Sequence, residues 1–405
     1  MHATFNSVAS PVVSSNTVRI VKSTVPFLQA HSEAITRHFY PLLFARHPQL
    51  TEFFNMSHQA AGTQQRALAD AVLAYAAHID RPEVLASAVS RIVHRHVALG
   101  IRADHYPLVG ECLLQAIKEV LGAAASDEVI GAWKEAYGAL AQGLVAAEEA
   151  VYSTRERMPG GWRGERVFRV ARRERESDIV TSFYLEPEDG GPLLGFTPGQ
   201  YLTLVLRIEG KTVRRNYSLS DAPGKPWYRI SVKREPEGHV SNWLHEHAQP
   251  GTRVHATPPS GEFVLHTGEL RRPLVLVTGG VGITPAMSML EVAGPAGRPV
   301  RFLHAARHAG VHAFRERVNE LARRHPNVMA HYVYSEPRSH DTPHSTGFLT
   351  RELLAQSLPE DRDVDLYTLG PKPFMEFVLR TGLELGVPRS RLHYEFFGPT
   401  QSLAA

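Results

Sequence analysis

The strongest constraint on this chain is a double change of rhythm. From Asn16 to about Tyr152 apolar residues recur three and four apart, with few glycines and only short β-branched runs, which predicts helices alone. At Met158-Pro159-Gly160-Gly161-Trp162 the pattern becomes period two: Val167 to Val170, Tyr201 to Ile208 and Tyr228 to Val232 alternate with Pro/Gly turns, as in an antiparallel sheet or barrel. From Arg272 apolar runs (Leu274 to Val277, Val300 to His304, Val328 to Tyr334, Leu366 to Leu369) alternate with helical stretches, one of them ending at Arg324, as in a parallel sheet covered on both faces. In such a sheet ligands sit at the carboxyl ends of the strands. Three domains are therefore expected, over residues 12–153, 160–269 and 270–405, and a chain of 405 residues is long enough to give each its own core.

Helix starts are legible in the first third. Ser23-Thr24-Val25-Pro26 and Asp80-Arg81-Pro82-Glu83 pair a capping residue with proline in the first turn, and Ser126-Asp127-Glu128 opens a third helix. Between Glu83 and Leu99, the residues Leu85, Val89, Ile92, His96 and Leu99 form one apolar stripe that includes His96 and leaves His94 on the other side. A histidine on such a stripe suits an axial haem ligand, because iron needs a neutral imidazole nitrogen in a dry pocket; on the stripe alone, a core histidine bonded to a carbonyl is the commoner reading.

Composition removes several classes of function. Lys and Arg number 44 against 41 Asp and Glu, scattered without basic runs, which gives no argument for nucleic acid. The single cysteine, Cys112, excludes an intrachain disulfide and a thiolate metal cluster, and points to a reducing, cytoplasmic setting. Met1 to Ser10 reads as a loose polar tail and not a signal peptide, and the longest uncharged run, Leu274 to Leu290, is broken by glycines and falls short of a membrane span.

With Tyr40, Phe54-Asn55-Met56, Gln64, Leu68 and His96 taken together, the first third resembles the globin domain of a flavohaemoglobin, and the likeness extends in domain order from about Asn16 to Pro399. The resemblance implies a globin fold holding haem b, then an antiparallel β-barrel that binds FAD, then an α/β domain of the ferredoxin-reductase type that binds NAD(P)H. It implies that His96 ligates the iron, that Tyr40, Gln64 and Leu68 line the distal side, and that Phe54 packs on the haem. Tyr40 and Gln64 would donate hydrogen bonds to dioxygen in that pocket. On the proximal side it implies Tyr106 and Glu148 behind the imidazole, with Glu149 as the neighbouring alternative; a carboxylate there makes the imidazole more basic and favours oxygen activation over carriage. Pro41, directly after Tyr40, is expected to kink the helix.

In the second domain Arg215-Asn216-Tyr217-Ser218 resembles the flavin signature of ferredoxin-reductase-like proteins: arginine on the pyrophosphate, tyrosine against the isoalloxazine, serine near its N5. Pro198-Gly199-Gln200-Tyr201 precedes it, and Gly238-His239-Val240-Ser241 follows as a loop-to-helix junction whose free N–H groups suit a phosphate. In the third domain Gly279-Gly280-Val281-Gly282-Ile283-Thr284-Pro285 follows a β-run and opens a helix, the context of a dinucleotide turn, although proline replaces the last glycine of the usual pattern. Gly370-Pro371-Lys372-Pro373 resembles the segment beside the nicotinamide, and Glu395-Phe396-Phe397-Gly398-Pro399 the one that closes over the flavin. Leu369 and Phe396 replace smaller family residues and are expected to alter nicotinamide approach. Arg307 and His308 are placed to meet a 2′-phosphate or simply solvent.

The activity this implies is nitric oxide dioxygenase, with oxygen and nitric oxide as substrates, no transmembrane segment and a monomeric chain. The alternatives are an oxygen or nitric oxide sensor or carrier whose reductase keeps it reduced, and a flavin reductase serving another acceptor.

Overall fold

The computed structural model describes residues 13–54, 63–268 and 271–397. By contact density the chain divides into two units, one made mainly of residues up to Met158 and the other mainly of residues from Pro159 on.

In the first unit the helices are α1 (Ser15–Ser23), α2 (Val25–Arg46), α3 (Thr63–Ala77), α4 (Ala86–Leu99), α5 (His105–Leu121) and α6 (Asp127–Arg157). Ser14 caps α1 by accepting from the Thr17 N–H, and Ser126 caps α6 by accepting from Val129. Pro26 lies in the first turn of α2 as expected, but Thr24 is not a side-chain cap. Its hydroxyl donates to the Val21 carbonyl and accepts from the Trp133 indole, ties that hold it inside the core. The helix predicted from Glu83 begins instead as a 3-10 turn over Pro82–Leu85, and regular α-helix starts at Ala86. Pro41 does not end α2, which continues through it to Arg46. Phe39, Leu43, Leu50, Cys112, Ile117 and Trp133 form the buried centre of this unit.

The second unit holds both sheets. Strands β1 (Arg166–Arg175), β2 (Val180–Pro187), β3 (Tyr201–Ile208), β4 (Lys211–Ser218), β5 (Tyr228–Lys233) and β6 (Arg253–Ala256) form one sheet in the order β4-β3-β6-β1-β2-β5. The pairings of β1 with β2 and β6, of β2 with β5 and of β3 with β6 are antiparallel, and a bridge between Leu219 and Ile230 joins the two outer ends, closing the sheet. Helix α7 (His239–His247) follows β5. Strands β7 (Leu274–Gly279), β8 (Val300–Ala306), β9 (Val328–Tyr334), β10 (Ser345–Thr346), β11 (Asp365–Leu369) and β12 (Leu392–Tyr394) form a parallel sheet ordered β10-β9-β8-β7-β11-β12. Its helices are α8 (Ile283–Ala293), α9 (Arg315–Arg324), α10 (Arg351–Gln356) and α11 (Lys372–Glu384). Apolar clusters cover both faces, one containing Leu276, Ile283, Phe302 and Tyr332, the other Val275, Val277, Leu303 and Leu366. Runs with no polar alternation, such as Leu274 to Val277, are what a doubly covered strand requires.

At the amino end of this sheet Arg298 is fully buried. Its guanidinium donates to Asp365 Oδ2 at 2.6 Å, to the Arg272 carbonyl at 2.7 Å and to the His266 carbonyl at 2.9 Å. Arg298→Met is expected to leave Asp365 buried without its main partner and to cost about 3–5 kcal/mol, read as a lower urea midpoint at unchanged m-value. Among the described residues no helix is long and apolar enough to cross a membrane.

Candidate functional site

The expected stripe on α4 is only half-buried: Leu85, Val89, Ile92, His96 and Leu99 are all intermediate, whereas Val93 and Val97 make the deep contact with Tyr106, Leu144 and Tyr152. The helix thus packs on α6 most deeply through Val93 and Val97, with Val89 and Ile92 of the stripe half-buried against the same cluster. The His96 side chain is about a third exposed (32%), and Glu148 behind it is nearly inaccessible (3%). His96 Nδ1 lies 2.8 Å from Glu148 Oε1 and 3.0 Å from the Tyr106 hydroxyl, which itself donates to Glu148 Oε1 at 2.5 Å. Burial, reinforced by the carboxylate, pushes the Tyr106 phenol far above its usual range and keeps its proton in place as a donor. With the carboxylate accepting from Nδ1–H, the neutral tautomer carries its lone pair on Nε2, the form a metal accepts. The donor set therefore fits an iron porphyrin ligated through His96. The structure assigns this carboxylate to Glu148; Glu149 is exposed and accepts from Ser153 one turn along.

Tyr40 is buried, its ring edge-on to Phe54 with centroids 5.7 Å apart and also against Phe39 and Phe44. Leu68 and Phe54 are half-buried against the same cluster. Gln64 belongs to α3, but its side chain, like Asn55 and Met56, lies outside the described residues. Tyr40, Phe54 and Leu68 are thus brought together as an apolar, aromatic wall.

On β4, Tyr217 is half-buried, and burial raises its phenol well above normal; desolvation lowers Arg215. Ser218 is buried, and Asn216 accepts from the Thr203 hydroxyl at 2.9 Å, which ties β4 to β3. Tyr201 is buried beside Gly261, and Gly199 adopts φ +105°, where a Cβ would stand 2.1 Å from the Phe263 carbonyl oxygen; only glycine fits there. Val240 and Ser241 occupy the first turn of α7, where Ser241 Oγ donates to the Gly238 carbonyl and accepts from the Glu235 N–H. The half-buried face of β4 and the first turn of α7 are chemically suited to a flavin and its pyrophosphate.

Gly279 ends β7, Gly280 to Gly282 form a single 3-10 turn, and Ile283, Thr284 and Pro285 open α8. Gly280 takes φ +55°, and a Cβ on Gly282 would stand 2.4 Å from the Leu369 carbonyl oxygen. Glycine here lets the turn lie against the end of β11, with the helix N-terminus free for a dinucleotide phosphate. Val281 is half-exposed on the turn, while Ile283, Thr284 and Pro285 are buried. Leu369 is fully buried with Ile283, Ala286 and Met287, so its bulk goes into the core. Glu395 and Phe396 are half-buried, Phe397 is exposed, and Gly398 and Pro399 lie outside the described residues.

Sequence patterns alone did not reveal a polar knot within the second unit. Arg229 Nη2 lies 3.6 Å from Glu291 of α8, Arg317 Nε donates to Glu291 at 3.0 Å, and Ser288 donates to the Asp221 carbonyl at 2.7 Å. These residues stand far apart in sequence and match no short motif.

Comparison with known proteins gives three matched domain models: globin over residues 37–144, oxidoreductase FAD-binding over 167–265 and oxidoreductase NAD-binding over 276–380. The flavohemoprotein of Pseudomonas aeruginosa is 52% identical over 95% of this chain and 98% of its own length; that of Bacillus thuringiensis is 46% identical over 97% and 100%. A crystal structure of flavohemoglobin from Malassezia yamatoensis with bound FAD and heme covers 95% of this chain and 100% of that one, with a TM-score of 0.83 at 24% identity, which supports the fold. The FAD/NAD-binding domain of nitric oxide dioxygenase from Vibrio cholerae is 36% identical over 58% of this chain and 99% of that one, with a TM-score of 0.53. With a partly exposed imidazole backed by a buried carboxylate, a flavin-type barrel, a dinucleotide turn and relatives matched almost end to end, the chain belongs to the flavohemoprotein family, whose cofactors are haem, FAD and NAD(P)H.

Proposed function

We propose that this chain is a nitric oxide dioxygenase, joining nitric oxide, dioxygen and one electron into nitrate at the expense of NAD(P)H. The observation that carries the reading is the His96, Glu148 and Tyr106 arrangement in a chain that also holds a complete reductase. When bound, NAD(P)H supplies a hydride, FAD divides it into single electrons, and haem supplies the redox iron for the two gases.

The chain's own residues set the conditions. His96 offers Nε2 to the metal; Glu148 fixes its tautomer, and Tyr106 holds the carboxylate oxygen. A strongly donating imidazole favours oxygen chemistry over simple carriage. Tyr40 donates a hydrogen bond that retains oxygen, and Phe54 and Leu68 keep the pocket apolar. On the reductase side Arg215, Tyr201, Asn216, Tyr217, Ser218, Val240 and Ser241 hold the flavin, with Glu395 to Phe397 beside it. The turn from Gly280 to Pro285 holds the nucleotide pyrophosphate. The single cysteine, Cys112, supports action in the reducing cytoplasm.

The test is a closed-cell assay of the purified holoenzyme with NADH, oxygen and nitric oxide. Catalytic loss of nitric oxide with matching nitrate supports the reading; haem that reduces and binds gas without turnover gives the carrier reading. Tyr40→Phe is expected to release oxygen about tenfold faster or more, the value of a hydrogen bond to a charged acceptor. An unchanged oxygen dissociation rate removes Tyr40 from that role.

A further inference from the structure

Helix α8 opens at the dinucleotide turn, and Ser288, Met289 and Glu291 along it meet residues of the antiparallel sheet and its connecting segments within the same unit. Ser288, three residues after Pro285, donates from its hydroxyl to the Asp221 carbonyl at 2.7 Å, and both residues are buried. Asp221 stands three residues after Ser218, the end of the stretch to which the resemblance assigns the flavin. One hydrogen bond thus joins the two cofactor-holding segments close to both. Met289 makes a second contact with that side of the sheet: its Cε lies 2.8 Å from the place a Cβ on Gly199 would take.

Arg229 of β5 makes the third contact. Its buried guanidinium reaches Glu291 of α8 and donates to Ser220, from Nε to the hydroxyl at 3.2 Å and from Nη2 to the carbonyl. The cation also lies 5.0 Å from the centroid of the Phe314 ring and 6.0 Å from that of Tyr184. Phe314, just before α9, adopts φ +61°, a left-handed conformation that is costly for a bulky side chain and persists only where the surroundings over-determine it. Its ring belongs to the same buried cluster as Ile283, Ala286 and Met287 of α8. Glu291 is held from its other side by Arg317 of α9, and Asp221 accepts from the Trp227 indole at 3.0 Å. Stability alone does not account for such a seam, because burying an ion pair costs desolvation that a well-packed apolar contact avoids. Directional bonds fix the register of two surfaces that apolar contact would allow to slide.

Resting on the reading of this unit as an NAD(P)H-flavin reductase, we propose that Arg229, Glu291 and Ser288 are positioning residues for hydride transfer. They hold α8, and with it the dinucleotide turn, at a fixed distance from the flavin-holding end of β4. They act through residues 218–221 on one side and through the helix on the other. Hydride transfer requires its donor and acceptor carbons in contact, so a displacement of about 1 Å costs on the order of a hundredfold in rate. Affinity for the nucleotide is set at the turn itself, which these residues do not form, so loosening the seam lowers the rate and spares binding.

The test follows flavin reduction by NADH in stopped flow, using the full chain loaded with haem and FAD. Arg229→Met and Glu291→Gln are expected to lower the saturating rate about tenfold and Ser288→Ala about threefold, with NADH affinity and flavin content within about twofold of wild type. The unreactive tetrahydro analogue of NADH supplies a readout independent of turnover: the three variants should bind it as wild type does and lose most of its long-wavelength charge-transfer absorbance with the flavin. Arg298→Met controls for lost stability, since it strips a buried partner from Asp365 away from this seam and should leave the rate within about twofold. Ser288→Ala removes one hydroxyl and carries the test even where Arg229→Met does not fold. Wild-type rates and charge-transfer absorbance in Ser288→Ala and Glu291→Gln overturn the assignment, as does an equal loss in Arg298→Met. Failure of NADH to reduce the flavin of the wild-type protein overturns the underlying reading instead.

Discussion

His96→Ala protein is expected to carry its flavin and no haem. The His96 imidazole has one nitrogen fixed by a buried carboxylate, with Nδ1 2.8 Å from Glu148 and the phenol of Tyr106 completing the cluster. Removing it deletes the axial donor and leaves the carboxylate with Tyr106 alone. The purified variant, supplied with excess haem during expression, should show a flavin spectrum without a Soret band, reduce its flavin with NADH within about twofold of wild type, and consume no nitric oxide. His96→Gly should recover the Soret band when imidazole is added, because the rest of the site is retained. Full haem content in His96→Ala with an unchanged ferrous spectrum would place the ligand elsewhere.

The second large effect is expected at Gly282. A methyl group there would stand 2.4 Å from the Leu369 carbonyl oxygen and 2.6 Å from its carbon, and both belong to backbone at the end of β11. A rotamer change cannot relieve that contact, so the turn must move away from the strand it rests on. Displacement of a binding loop by about 1 Å costs on the order of a hundredfold in rate. Gly282→Ala is therefore expected to slow flavin reduction by NADH about a hundredfold in stopped flow, with flavin content retained. Gly280 makes the control: it has φ +55° and open space around its Cβ, so Gly280→Asn, which tolerates the left-handed region, should cost far less. Equal losses in the two variants would show that conformation, and not crowding against β11, dominates the turn.

The architecture was legible because hydrophobic period is a local signal. Tyr201 to Ile208 and Val328 to Tyr334 are strands with the predicted bounds, and the switch of texture at Met158 falls where the chain passes from one unit to the other. His96 was visible as a candidate because it shares a helical stripe, but periodicity could not choose between a core histidine and a ligand. That choice depends on Glu148, 52 residues away, and its 2.8 Å contact is a property of how α4 and α6 pack. The same physics explains the errors. Helix periodicity placed the stripe from Leu85 to Leu99 in the core, where Val89, Ile92 and Leu99 are only half-buried, while packing on α6 buried Val93 and Val97. Thr24 carries the composition of a cap, but the Trp133 indole and the Val21 carbonyl claimed its hydroxyl.

The outer strands of the two sheets bear on how this chain behaves when crowded. The antiparallel sheet joins its own ends through Leu219 and Ile230, and the parallel sheet is flanked by strands of only two and three residues, β10 and β12. Unpaired backbone along a long edge is the usual template on which one chain recruits another into an aggregate. Here that template is closed in one sheet and nearly absent in the other. Strand pairing between copies is therefore a poor route to aggregation at high concentration.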